Sequence, residues 1–163
     1  MMTDISLLEN VFSKLNIDCE KISHPALHTA IEADRLLLER PGTRLKNLFL
    51  RDNYGKRHFL LITSPNKQVD LKALSKAQGL SRLGFASNER LAKHLGVKPG
   101  CVSMLALLND KDNAVQLWVD SQLWQADLFH CHPFENTQTW LMQKSDLLKV
   151  FEYSNHSVEL VDL

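Results

Sequence analysis

The chain has 163 residues, 44% of them hydrophobic, enough for one domain with a sizeable core. No apolar run reaches the ~18 residues of a membrane span, and the acidic N-terminus MMTDISLLENVF lacks the charged lead and cleavage site of a signal peptide. Net charge is zero but unevenly spread. Residues 35–98 carry 14 Lys and Arg against 4 acids, an excess of ten that the remaining 5 basic and 15 acidic residues cancel. Such asymmetry is the footprint of a phosphate-binding face, or else of ordinary solvated helix faces.

Thr3 can cap a first helix whose apolar residues Ile5, Leu8, Phe12 and Leu15 recur at spacings of three and four. Residues 18–22 (DCEKI) alternate like a short strand, and His24-Pro25 signals a turn. Thr29 and Glu32 form a capping-box pattern that opens a second helix over 30–39, stopped by Pro41-Gly42. Lys46 to Asp52 and 57–63 read as two strands of a hairpin joined by Asn53-Tyr54-Gly55-Lys56. Asp70 caps a helix through Gln78, 82–86 is a short strand, and Ser87 caps a helix that Gly96 closes.

After the Pro99-Gly100 turn, 102–108 (VSMLALL) reads as a buried strand that pairs in a second hairpin with Val115 to Asp120. Residues 128–132 and 137–142 form two further extended segments. Ser145 caps a last helix over 146–153, and Val158 to Val161 is a final strand. Hairpins with interspersed helices predict an α+β domain spanning 1–163 on a mostly antiparallel sheet. GxGxxG, GxxxxGK[ST] and GxSxG are all absent, against a dinucleotide fold, a P-loop NTPase and an α/β-hydrolase.

Two stretches carry chemistry. In KNLFLRD, adjacent Lys46 and Asn47 must point to opposite faces of a strand, so one meets the interior or a pocket lip, where it needs a partner. Lys46 is either an edge-strand charge that discourages aggregation or a cation for an anionic ligand. In HCHPFENTQT, His130 and His132 share a face and Cys131 opposes them. The histidines could bind zinc with His24 or His28, stabilise a turn, or furnish a pocket with Asn136, Thr137 and Thr139. Cys131 is a conceivable nucleophile only if it is not buried. Three widely spaced cysteines without CxxC suit a reducing cytoplasm. Trp118 reads as core, while Trp124 and Trp140 could pack or stack on bases.

Taken in order, HPALHT (24–29), KNLFLRD (46–52), VDLKAL with GLSRLGFAS (69–87), ERLAKHLGVKPG (89–100), ALLND (106–110) and HPFENTQT (132–139) resemble the YbaK/prolyl-tRNA-synthetase-associated domain family, nearest its free-standing trans-editing (ProXp-ala) branch. The resemblance implies a curved, barrel-like sheet and a cofactor- and metal-free deacylase that hydrolyses alanine mischarged onto tRNA(Pro), with that tRNA as partner and a transient meeting with prolyl-tRNA synthetase. It carries catalytic roles to Lys46, Asn47 and His132, and tRNA contacts to Arg44, Lys46 and Arg82. Substrate binding falls to Gly100, Ser103, Met104, Asn136 and Thr137, with backbone N–H groups of 100–103 facing the oxyanion. Lys46 and His132 are expected to meet across one cavity. Two departures bear on specificity: Met104 stands where the family's G-x-x-x-P loop has proline, and Glu135 where a small polar residue is frequent. A deacylase for another small amino acid such as serine, and a non-catalytic RNA- or nucleotide-binding module, are the alternatives.

Overall fold

The computed structural model describes residues 5–26 and 40–163. The Thr3 cap, His28 and the helix expected over 30–39 lie outside them. Helix α1 (Ile5–Leu15) buries Leu8, Val11 and Phe12 on one stripe, as the spacing requires. Strands β1 (Glu20–Ser23), β6 (Leu128–Cys131) and β7 (Gln138–Gln143) form an antiparallel sheet in the order β1-β7-β6. A five-stranded mixed sheet is ordered β4-β2-β3-β5-β8, from Leu83–Phe85, Lys46–Asp52, His58–Thr63, Val115–Asp120 and Val158–Val161.

The β2–β3 hairpin forms as read, with Lys46 opposite Thr63 and Arg51 opposite His58. Every residue of β3 is buried, because both faces of this central strand are covered. Phe49, Leu60, Ile62, Leu117 and Val119 join the main core with α1, the β6–β7 pair and α4 (Lys144–Tyr153). Leu50, Phe59, Leu61 and Trp118 pack on the other side with Leu74 of α2 (Leu71–Ala77).

Local chemistry sets the helix ends. Asp70 accepts the Ala73 N–H at 3.0 Å to open α2. Ser87 accepts the Arg90 N–H at 3.2 Å to open α3 (Asn88–Leu95), and Gly96 closes it at φ +65°. Helix α4 starts two residues earlier than expected, with Gln143 rather than Ser145 at its N-cap.

The expected strand over 102–108 is instead a buried 3-10 helix, Met104–Asn109. A short, wholly apolar run does not distinguish the two by periodicity. Its backbone bonds close locally, Ala106 N–H to Ser103 O at 3.1 Å and Asp110 N–H to Leu107 O at 3.1 Å. The second hairpin therefore does not form: β5 lies parallel to β3 on one side and to β8 on the other. The fold is α+β with most strand pairs antiparallel, but among the described residues the strands form two sheets and no closed barrel. One parallel bridge, Thr43 with Phe129, joins the sheets. No helix among the described residues is long and apolar enough to cross a membrane.

Candidate active site

That bridge brings the two chemical stretches together. Thr43 N–H donates to Leu128 O at 2.8 Å, and His130 N–H donates to Thr43 O at 2.9 Å. Both chains leave the bridge in the same direction, so three residues further on along each come Lys46 and His132. Leu45 and Phe49 pack into the main core, which by alternation turns Lys46 away from it, onto the face of β2 whose Leu48 and Leu50 pack into the second core. Phe129 and Cys131 also belong to that core, so within β6 His130 is turned away from it, and His132 follows the end of the strand. The expected opposition of Lys46 to Asn47 holds within β2 and that of His130 to Cys131 within β6, whereas His132 lies one residue beyond that strand.

A close backbone approach holds the junction. His130 Nε2 donates to Pro41 O at 2.8 Å, and its ring lies against Gly42, where a Cβ would stand 2.9 Å from His130 Cδ2. Gly42 has φ +104°, a conformation that L side chains avoid. Burial lowers the pKa of His130, with the Pro41 carbonyl opposing and Arg44 assisting. Burial also lowers that of His132, against its bond to the Gln138 backbone, with His24 and His130 nearby. Both rings are therefore neutral near pH 7.

Three buried side-chain atoms lack a hydrogen-bond partner among the described residues: Asn47 Oδ1, His130 Nδ1 and His132 Nδ1. Buried polar atoms are rarely orphaned, and all three fall in the two stretches that the sequence singled out. The two histidines sit at and just past the end of β6, whereas Asn47 lies on the β2 face that meets the main core.

The remaining expected residues divide. His24 Nε2 bonds Thr139 Oγ1 at 2.8 Å, tying β1's end to the histidine turn. The Asn136 backbone bonds the Cys101 thiol, so the loop after Gly100 meets the 132–139 turn. Thr137 Oγ1 donates to Glu135 Oε1 at 2.7 Å on the surface. Ser103 is buried and accepts the Leu105 N–H at 3.2 Å, capping the 3-10 helix, and Met104 is 1% exposed within the main core. Arg82 is exposed beside Leu83, which pairs with Asp52 at the opposite end of β2 from Lys46, about 20 Å along the strand. The best-formed clefts among the described residues lie elsewhere, one of 410 Å³ between Lys56–His58, Val115 and His156; the hollow expected between Lys46 and His132 is not one of them.

Other readings resolve on burial. Cys131 is 2% exposed and burial pushes its thiol far up, which removes it as a nucleophile. Trp118 stacks on Phe59 at 4.0 Å, and Trp140 is fully buried against Phe12. Neither is free to stack on a base. No group of three or more His, Cys, Asp or Glu among the described residues is placed to hold a metal ion.

A network that the sequence reading missed lies beside Lys46. Its ammonium donates to the Lys67 carbonyl, and Lys67 Nζ donates to Asp120 Oδ2 at 2.8 Å. A carboxylate ending the apolar strand VQLWVD was the available signal, since a buried acid demands partners.

Residues 24–150 match the aminoacyl-tRNA editing domain family. The chain belongs to this family. It is 31% identical to the prolyl-tRNA editing protein ProX of Acetoanaerobium sticklandii, over 98% of this chain and 99% of that one. It is 33% identical to prolyl-tRNA synthetase associated domain-containing protein 1 of Danio rerio, over 92% and 82%. The editing-domain fold is matched by a crystal structure of a candidate trans-editing enzyme for prolyl tRNA synthetase, at a TM-score of 0.74, 16% identity, and coverage of 100% and 98%. The resemblance read from the motifs is therefore to the correct family.

Proposed function

We propose that the protein is a free-standing trans-editing deacylase that hydrolyses the ester of alanine on tRNA(Pro), acting as one cytoplasmic unit over its whole length. What supports this reading is that Lys46 and His132 each lie three residues beyond the Thr43–Phe129 bridge, on segments that leave it in the same direction, inside the editing-domain residues. The relative named as a prolyl-tRNA editing protein supports proline tRNA as the partner.

An aminoacyl ester is already activated, so holding water and carbonyl in attack geometry supplies much of the rate. Lys46 offers a cation to the phosphate or ribose of the tRNA's 3′ end. His132, neutral through burial, offers the Nδ1 lone pair as an acceptor for the substrate's ammonium or 2′-hydroxyl rather than a proton for the leaving group. Asn47 Oδ1 is an acceptor held within the fold for ordering the strand end. The oxyanion falls to backbone N–H groups in the loop following Gly100, which the Asn136 contact joins to the histidine turn.

Discrimination against proline rests on pocket size, since one methylene is worth only ~1–3 kcal/mol. The test is deacylation of tRNA(Pro) charged in turn with Ala, Ser, Cys and Pro. Fast turnover of the alanyl ester with prolyl ester spared is the expected result. Preference for the seryl ester would assign the enzyme to another small amino acid. Binding of tRNA without turnover of any ester would leave an RNA-binding module.

A further inference from the structure

Resting on the reading of Lys46 as a substrate-contacting group, we propose that Lys67 and Asp120 are positioning residues that aim the Lys46 ammonium. Three strand ends converge here: Lys46 opens β2, its register partner Thr63 ends β3, and Asp120 ends β5 beside it. The Lys46 ammonium donates to the main-chain carbonyl of Lys67. An ammonium has three donors, so fixing one on a carbonyl sets the directions of the other two.

The place of that carbonyl is in turn set by Asp120. Lys67 N–H closes a turn on Ser64 O at 3.2 Å, and Lys67 Nζ donates to Asp120 Oδ2 at 2.8 Å and to Gln122 Oε1 at 3.2 Å. The same Oδ2 accepts the Thr63 hydroxyl at 2.7 Å, and Oδ1 accepts the Gln122 N–H at 3.0 Å. The Asp120 side chain is 2% exposed and that of Lys67 24%. The 64–67 turn is thus pinned to a rigid, buried strand end through its own lysine.

The choice of partners suits an anion site. Lys46 is held by a neutral dipole, so its charge stays available to a phosphate or a developing negative charge. A carboxylate in direct contact would compete with that ligand. The Asp120 carboxylate is one link removed, and its charge is matched to Lys67. A plain salt bridge from Lys46 to Asp120 would stabilise the sheet end equally well and leave no cation for substrate.

The test is a double-mutant cycle on alanyl-tRNA(Pro) deacylation, with folding checked by thermal melts. Lys67→Met removes the ammonium but leaves Asp120 its Thr63 and Gln122 donors, so the fold survives. We expect kcat/KM to fall about tenfold in Lys67→Met, and to recover most of that in Lys67→Arg. In a Lys46→Ala background the same Lys67→Met change is expected to cost less than about twofold. Equal losses in both backgrounds would overturn the inference while leaving the role of Lys46 intact. Full activity in Lys46→Ala alone would overturn the reading of the site, and the inference with it. A second readout is the Lys46 side-chain NMR signal, which Lys67→Met must shift; an unmoved signal refutes the positioning role whatever the kinetics.

Discussion

Gly42→Ala tests the junction on which the site depends. The substituted residue must hold φ +104° and place its Cβ 2.9 Å from His130 Cδ2, 3.0 Å from Nε2 and 3.3 Å from Leu128 Cγ. The backbone cost is about 1–2 kcal/mol, and forcing extra volume against a packed ring adds about 1–3 kcal/mol. Gly79→Ala is the internal control: its φ is +70°, but a Cβ there meets nothing within 4 Å. It should cost only the backbone share. The gain from a stiffer unfolded chain is common to both and cancels. Urea unfolding at constant m-value gives the two free energies, and their difference, at least about 1–3 kcal/mol, reports the His130 contact together with the greater backbone strain of φ +104°. Deacylation should fall further in Gly42→Ala than in Gly79→Ala, because His130 and the strand leading to His132 must shift. Equal destabilisation of the two variants, within about 0.5 kcal/mol, would refute the close-packed junction.

Further predictions concern charge and accessibility. His58 is buried beside His94 and Arg90, and burial first, then the neighbouring His94 ring and Arg90 guanidinium, lower its pKa from 6.5 to about 4. A base with a depressed folded pKa loses stability as pH falls, beginning near 6.5 where the unfolded chain takes the proton and complete below about 4. The loss is on the order of 3 kcal/mol, and unfolding of His58→Phe across this window should show a flatter profile. Asp110 accepts from His156 Nε2 at 2.8 Å and from the Ala114 and Val115 N–H groups, which hold its pKa down although burial opposes them. Its contribution is present above the ordinary carboxylate range and disappears as pH falls through the lowered folded value, so Asp110→Asn should be destabilised at pH 7 and lose little more on acidification. Lys46→Ala and His132→Ala, both folded by circular dichroism, should each lose deacylation, and Lys46→Ala should also weaken tRNA binding; unchanged activity in either removes that residue from the site. Cys131 should resist thiol reagents in the native protein and react only on unfolding; rapid labelling would contradict its burial.

Much of the secondary structure was legible because it rests on local chemistry. The caps at Asp70 and Ser87, the Gly96 stop and the β2–β3 hairpin follow from neighbouring residues alone. Where local chemistry was silent, the reading failed: VSMLALL is apolar throughout, and only the parallel seating of β5 against β3 reveals that no strand position was left for it. The basic excess of 35–98 was real in count, yet part of it is structural. Arg90 is taken by Gly55 O and His58, Lys67 by Asp120, and Arg57 by Gln116.

Period-two alternation in the sequence determined which side chains take opposite faces: Lys46 against Asn47, and His130 against Cys131. It also supplied the motif order that identifies the editing-domain family. Tertiary structure alone decided that the lysine and histidine stretches are neighbours, because the parallel bridge between Thr43 and Phe129 sets two segments 86 residues apart side by side. It alone moved Arg82 to the far end of β2, sank Met104 into the core and put Asp120 behind Lys46. Alternation is a property of each strand by itself, whereas register between distant strands depends on contacts that no local pattern encodes.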